Sequence, residues 1–277
     1  MIAHAQTGLQ ETRRPDRRQP ERLTLAPWSV TRVLLAITAG FTLLDLAGQF
    51  AKYVWGIERA GGLIPGFDLD REANFPTWYS QAILLFSASL LGVIAAAVKR
   101  LGRRGALHWG ALALLFLWLS IDELVGVHEM LSRPLRAWLG VGGLLYYAWV
   151  LPGAAGVLLL GMSYWRFVGQ LSRRIRTLVV AAGLLFVAGA LGMELAEGLY
   201  RSHYGHQRLA YALLAAVEET LEMLGVVVFI HALLEHLESL PVVFAVRSAP
   251  TKSEEPSTSV GRQLCGVDDE VIKVTVT

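Results

Sequence analysis

Acidic side chains stand inside the most apolar stretches of this sequence. Nine carboxylates and one histidine lie within hydrophobic blocks: Asp45, Asp122, Glu123, Glu129, Glu194, Glu197, Glu218, Glu219 and Glu222, with His128. No Lys or Arg lies in the middle of any block. A charged side chain at the centre of a bilayer costs at least about 2.5 kcal/mol. We therefore expect these groups to face a bundle interior, where they are protonated, hydrated or bound to cations.

Carboxylates accompanied by an imidazole are typical ligands of divalent cations. Calcium and magnesium take oxygen ligands, and manganese, iron and zinc accept carboxylate together with histidine. The sequence therefore predicts a divalent metal ion of unknown identity as cofactor. The expected ligands are Glu123, His128, Glu129, Glu194, Glu197, Glu219 and Glu222. Asp122 and Glu218 are the expected catalytic groups, which would orient a ligand or act as a general base on metal-bound water.

Two other functions remain open at this stage. Acids without counter-cations also occur along pathways for protons or cations, so a transporter or channel is one alternative. Such a pathway needs polar groups that continue to the cytoplasmic side, and the inner halves of three blocks are nearly all apolar. A non-catalytic assembly or sensing protein, with the acids in a hydrogen-bonded network, is the other alternative. The sequence does not decide whether the protein is an enzyme.

Six apolar blocks must position these acids. The chain has 277 residues, of which 54% are hydrophobic and 17% charged. The blocks cover approximately residues 30–55, 78–98, 107–130, 144–165, 178–200 and 209–237. A helix needs roughly 20 apolar residues to cross a bilayer, and a barrel strand needs only about ten. The predicted fold is therefore all-α, an integral membrane bundle of six transmembrane helices.

The distribution of basic residues predicts the orientation of the bundle. Arginines and lysines are concentrated before the first block and after the second and fourth blocks. The positive-inside rule then places both termini in the cytoplasm. Residues 1–27 and 241–277 are predicted to be disordered tails on either side of a membrane domain, residues 28–240. The expected partner is the lipid bilayer and not a nucleic acid, while a homo-oligomer and a small-molecule or lipid substrate are left open.

Helix geometry predicts how the acids are arranged. Because neighbouring helices alternate in direction, the acids of four blocks fall roughly 20–30 Å from the cytoplasmic edge, in the outer half of the membrane. Asp122 and Glu129 are seven residues apart, so we expect them to share one face of a continuous third helix. In the fifth block, Ala188, Gly192 and Ala196 form a stripe of small residues that would let a neighbouring helix pack closely.

The motif Ser120-Ile-Asp-Glu123, followed by His128-Glu129, resembles a signature of uncharacterised bacterial multi-pass membrane proteins, Ser-x-Asp-Glu-x4-His-Glu. Further matches are Asn-Phe-Pro-Thr-Trp at residues 74–78, Gly-Met-Glu-Leu-Ala-Glu at 192–197, and Glu-Glu-Thr-Leu-Glu at 218–222 followed by Met-Leu-Gly. The resemblance spans about residues 30–237. It implies a location in the bacterial inner membrane, and it brings no known activity.

Overall fold

The computed structural model describes residues 26–241 and the backbone of residues 243–244 and 273–274. Its helices are α1 (Pro27–Trp55), α2 (Leu63–Phe67), α3 (Phe75–Arg100), α4 (Ala106–Val125), α5 (Val127–Leu139), α6 (Val150–Gly169), α7 (Arg173–Val187), α8 (Glu194–Tyr204) and α9 (Leu209–Glu238). Short 3-10 turns lie at Ala60–Gly62 and Gly143–Leu145, and a π-helical turn, Ala188–Met193, joins α7 to α8. All these helices belong to one compact unit, Leu25–Pro241. In the other unit, β1 (Val243–Phe244) pairs in parallel with β2 (Lys273–Val274).

Five helical segments are long and apolar enough to cross a membrane, judged by length and composition. They are Pro27–Trp55, Phe75–Arg100, Ala106–Val125, Val150–Gly169 and Arg173–Tyr204. The helical bundle confirms the predicted all-α class, and the apolar helices are compatible with a membrane location. The sixth predicted span, α9, is not among these five. The predicted tails lie almost wholly outside the described residues.

Helix α9 forms the centre of the bundle and packs against α1, α3 and α7. Its C-terminal half is closely surrounded, with Val227, Ile230 and Ala232 entirely buried. On the periphery, large apolar side chains such as Leu43 of α1 and Leu158 of α6 are exposed. A bundle with apolar side chains outside and acids inside is the arrangement that a lipid environment favours.

Glycines bring α7 and the π turn close to α9. A Cβ added to Gly189 would lie 2.8 Å from the backbone oxygen of Glu218, and one added to Gly225 would lie 2.8 Å from the backbone nitrogen of Phe186. By contrast, a Cβ on Gly192 would meet nothing within 4 Å. The predicted small-residue stripe is therefore wrong in register. The π turn adds a residue to one helical turn, which changes the face that the following residues present.

The third predicted helix is broken at Gly126, which has a left-handed conformation with φ of 65°. Its N–H donates to the backbone oxygen of Asp122 at 2.7 Å, which closes α4 before α5 begins. Asp122 and Glu129 consequently lie on different helices, and the prediction that they share a helix face is wrong. The helix of the fourth block also starts later than predicted: α6 begins at Val150, whereas the predicted block begins near residue 144.

Candidate functional site

Asp122 at the end of α4 holds His128 at the start of α5. The His128 backbone N–H donates to Asp122 Oδ1 at 3.1 Å, and its ring nitrogen Nδ1 lies 2.7 Å from Asp122 Oδ2. The ring of Trp149 packs against the imidazole with centroids 4.8 Å apart. Because the left-handed turn at Gly126 folds α5 back toward α4, residues six apart in sequence make both contacts. The imidazole is therefore fixed by one nitrogen, and Nε2 remains available for another partner.

Three buried glutamates from α8 and α9 form a contiguous carboxyl group cluster. Glu218 lies within hydrogen-bonding reach of both Glu194 and Glu197. Two carboxyl groups can share a hydrogen bond only if at least one of them carries a proton. The Tyr211 hydroxyl lies near Glu197, and the Oε1 atom of Glu197 is buried without a hydrogen-bond partner among the described residues. The indole nitrogen of Trp149 lies near Glu194 without forming a well-aligned hydrogen bond.

Glu123, Glu219 and Glu222 complete the site from α4 and α9. They are half-buried, so open space inside the bundle reaches each of them. Glu219 is near enough to Glu123 and Glu222 for charge repulsion, and Glu222 is also near His128 and Glu194. We call the whole set the acidic layer. It consists of Asp122, Glu123, His128, Glu194, Glu197, Glu218, Glu219 and Glu222.

Of the predicted site residues, the structure places Asp122 against His128, and Glu218 within reach of Glu194 and Glu197. Glu129 is a rim residue, because it is exposed and lines a cavity beside these side chains. Within residues 26–241, no three His, Cys, Asp or Glu side chains are placed so that they could already hold a metal ion together. A metal ion would therefore require the half-buried glutamates to rotate toward His128.

A separate buried network lies where α1 meets the loop between α2 and α3. Gln49 donates to Asp45 Oδ1 at 2.9 Å and to Asp68 Oδ1 at 2.8 Å. The Leu69 N–H donates to the same Asp45 oxygen at 3.2 Å. Asp45 is thus hydrogen-bonded within α1 and the loop, and it is separate from the acidic layer. The spacing of Asp45 and Gln49, four residues apart on one helix face, is a sequence signal for this network.

Sequence reasoning missed a cavity of about 260 Å³ next to the acidic layer. Its lining includes Asp70, Glu129, Arg133, Arg136, Tyr146 and Arg201. The residues come from the loop before α3, from α5, from the turn before α6 and from α8. The one local signal is the spacing of the two arginines of α5, three residues apart and therefore on one face.

A chain of hydrogen bonds runs from this cavity toward the acidic layer. Arg201 donates to the Tyr147 hydroxyl at 2.6 Å, and the Tyr147 hydroxyl lies 2.6 Å from that of Tyr211. Tyr211 in turn lies near Glu197. Burial raises the pKa of Tyr147 to about 12, so this hydroxyl stays protonated and can donate a hydrogen bond to Tyr211.

Asp70 lines the cavity, and the pKa of its carboxyl group is raised above the ordinary value. Solvent reaches its carboxyl group through the cavity, but the surrounding protein replaces much of its hydration. This burial, reinforced by the nearby carboxyl groups of Glu197, Asp68 and Glu129, raises the pKa of Asp70 to about 7. Arg201 opposes the shift. The carboxyl group therefore changes charge near neutral pH.

The geometry defines a helical bundle with apolar outer surfaces and an acidic site near one end. A protein family described as a domain of unknown function (DUF8692) matches residues 32–237. Since this match covers most of the chain, the protein belongs to that family. The finding agrees with the resemblance to an uncharacterised family, while the sequence signature and the bacterial origin stay predictions. No curated protein and no solved structure matches the chain.

Proposed function

We propose that the acidic layer binds a divalent metal ion and forms the centre of a membrane-embedded metalloprotein. The Asp122–His128 contact is the observation that carries this proposal. Metal-binding histidines almost always donate their second ring N–H to a carboxylate or a carbonyl group, which fixes the tautomer. Asp122 holds Nδ1 of His128 in this way and leaves Nε2 for a metal ion.

The surrounding carboxyl groups supply the remaining ligands. Glu222 and Glu194 lie near His128, and Glu123 and Glu219 lie near Glu222. A divalent cation would relieve the repulsion among these groups, because no lysine or arginine belongs to the acidic layer. The buried, unpartnered Oε1 atom of Glu197 is an independent sign that a cation or a water molecule belongs beside it.

A catalytic role follows if the metal ion also binds water. A bound metal ion lowers the pKa of water enough to generate hydroxide near neutral pH. Glu218, which contacts two other carboxyl groups, could accept a proton from such a water molecule. In this proposal Glu218 is the general base, and Asp122 acts by orienting His128.

The same proposal includes the number of membrane spans and their orientation. We propose that α9 is a sixth span, since it runs for 30 residues through the centre of the five apolar segments. The bias of basic residues supports cytoplasmic termini in a bacterial inner membrane. The acidic layer and its rim residue Glu129 would then open toward the outer face.

Elemental analysis of the full-length protein tests metal binding. The protein is extracted in mild detergent, and its metal content is measured for the wild type, for Glu219→Gln and for Glu222→Gln. We expect bound divalent metal in the wild type and its loss in both variants. Glu58→Gln is the matched control, because Glu58 is an exposed acid of the outer loop. A metal-free wild-type protein that also fails to take up added Mn²⁺, Fe²⁺ or Zn²⁺ would refute the proposal.

Cation or proton transport is a second candidate, supported by polar contacts along α1. Its Thr42 and Thr38 hydroxyls pair with those of Thr220 and Tyr79 at 2.9 and 3.0 Å. Farther toward the cytoplasmic end, Thr31 lies 2.8 Å from Nδ1 of His231. Polar groups thus continue below the acidic layer, as a transport pathway needs. Proton or cation flux in proteoliposomes that is abolished by Thr42→Val would favour transport over a metal-dependent reaction.

A further inference from the structure

The outer cavity concentrates positive charge beside the acidic layer. Arg133, Arg136 and Arg201 all line this space. Among the described residues, none of the three has a carboxylate oxygen within 4.0 Å of its side-chain nitrogens. Their charges are therefore not neutralised by close ion pairs, even though Asp70 and Glu129 lie on the same wall.

Two of these guanidinium groups flank a single aromatic ring. The Arg136 guanidinium carbon lies 4.0 Å from the Tyr146 ring centroid, and that of Arg201 lies 5.0 Å from it. Arg136 also donates to the Tyr146 backbone oxygen at 3.1 Å. These contacts fix both planes, yet each guanidinium has five N–H donors and uses few of them within the protein. The unused donors are available to a ligand in the cavity.

We propose that this cavity binds the phosphate group of the substrate that the acidic layer acts on. Guanidinium groups match phosphate and carboxylate oxygens in geometry and charge. A planar carboxylate is satisfied by one such group, whereas a tetrahedral phosphate with three free oxygens can engage several at once. Three arginines around one small space therefore favour a phosphate over a carboxylate.

The size and position of the cavity agree with such a ligand. At about 260 Å³ it is slightly smaller than the roughly 300–1,000 Å³ of typical pockets for larger organic ligands, so it suits a compact group. The wall formed by α5 carries Arg133 and Arg136, while the same helix exposes Met130 and Trp138. An amphipathic helix of this kind is suited to the membrane interface, where lipid headgroups and soluble phosphate esters are both accessible.

The hydrogen-bond chain through Tyr147 and Tyr211 relates the proposed phosphate site to the acidic layer. It runs from Arg201 in the cavity to Tyr211, which lies near Glu197 of the acidic layer. A phosphate held by Arg201 would place the rest of the substrate next to the acidic layer. This step rests on the proposed metal-dependent function, whereas anion binding by the arginines rests only on the cavity.

Calorimetric titration of inorganic phosphate into the full-length protein in phosphatidylcholine nanodiscs tests the site. A parallel arm uses native mass spectrometry to detect phosphatidic acid retained from nanodiscs that contain it. We expect Arg133→Gln and Arg201→Gln to weaken binding at least about tenfold, because each removes a charge-assisted hydrogen bond. Arg133 is exposed and makes no side-chain hydrogen bond within the described residues, so its replacement should leave the fold intact. Arg208→Gln, on the same outer side but outside the cavity, is the matched control.

The two arms distinguish the sources of the phosphate. Binding of inorganic phosphate supports a soluble ester, and selective retention of phosphatidic acid supports a lipid headgroup. Equal binding by the cavity variants and by Arg208→Gln, or no binding of either ligand, overturns the proposal. Metal content measured on the same samples separates the two hypotheses: a metal-free wild type that still binds phosphate contradicts only the proposed function.

Discussion

Nδ1 of His128 lies 2.7 Å from Oδ2 of Asp122, although the two residues belong to different helices. The contact depends on the left-handed residue Gly126, which ends α4 and directs the chain back. It leaves the imidazole with one fixed nitrogen and one nitrogen without a partner among the described residues. The pair therefore places a fixed imidazole near the glutamates of α8 and α9.

Replacing Asp122 with Asn should weaken metal binding without unfolding the protein. The amide can still contact His128, but it no longer stabilises the tautomer that presents an unprotonated Nε2. Loss of such an orienting carboxylate typically costs about 10–100-fold in metal affinity. Competition titrations with Zn²⁺ or Mn²⁺ would measure the change, and Glu58→Gln is the control. Unchanged affinity in Asp122→Asn would show that His128 is not a ligand.

Enlarging Gly189 should destabilise the bundle. A Cβ there would approach the Glu218 backbone oxygen and the Glu222 Cγ atom to 2.8 Å. Overpacking of this kind costs about 1–3 kcal/mol. We expect Gly189→Ala to lower the thermal unfolding midpoint in detergent, whereas Gly192→Ala should have little effect because its Cβ would meet open space. Similar midpoints for the two variants would contradict the close approach of the π turn and α9.

Replacing Gln49 should destabilise the packing of α1 against the loop between α2 and α3. Gln49→Leu deletes two donated hydrogen bonds and leaves Asp45 and Asp68 buried with fewer partners. An unsatisfied buried polar group costs about 1–3 kcal/mol. Thermal unfolding and limited proteolysis of this loop would report the loss. Gln170→Leu, at an exposed position after α6, is the control and should behave as the wild type.

Anion binding should weaken as pH rises through neutrality. The pKa of Asp70 is raised to about 7 by burial and by the neighbouring Glu197, Asp68 and Glu129, with Arg201 opposing. Below that pH the carboxyl group is neutral, and above it a negative charge stands beside the arginines. Sulfate is a suitable ligand for calorimetry because it stays a dianion on both sides of neutrality.

Asp70→Asn provides the internal control for this pH dependence. The variant should bind sulfate with similar affinity below and above neutrality, and above neutrality it should bind more tightly than the wild type. It also separates the effect of Asp70 from that of His206, which lines the same cavity. A pH profile that is identical in the variant and in the wild type would assign the titration to another group.

The helices and the choice of acids could be predicted from the sequence, because long apolar runs and charges within them are local properties. The break at Gly126 was harder to predict, since glycine also occurs inside continuous helices, and only the packing of His128 on Asp122 shows its conformation. The arginine-lined cavity could not be predicted at all. Its arginines and tyrosines lie in separate segments between residues 133 and 211, and only tertiary packing brings them together.

The π turn has a consequence for how the acidic layer is assembled. One additional residue rotates everything that follows it by about 100° around the helix axis. Deleting a single residue between Ala188 and Met193 would keep the apolar half of the helix in place but point Glu194 and Glu197 in a new direction. The phase of one helix thus decides whether two carboxyl groups meet Glu218 or face lipid. A change of one residue in this turn would therefore be enough to move two carboxyl groups out of the site.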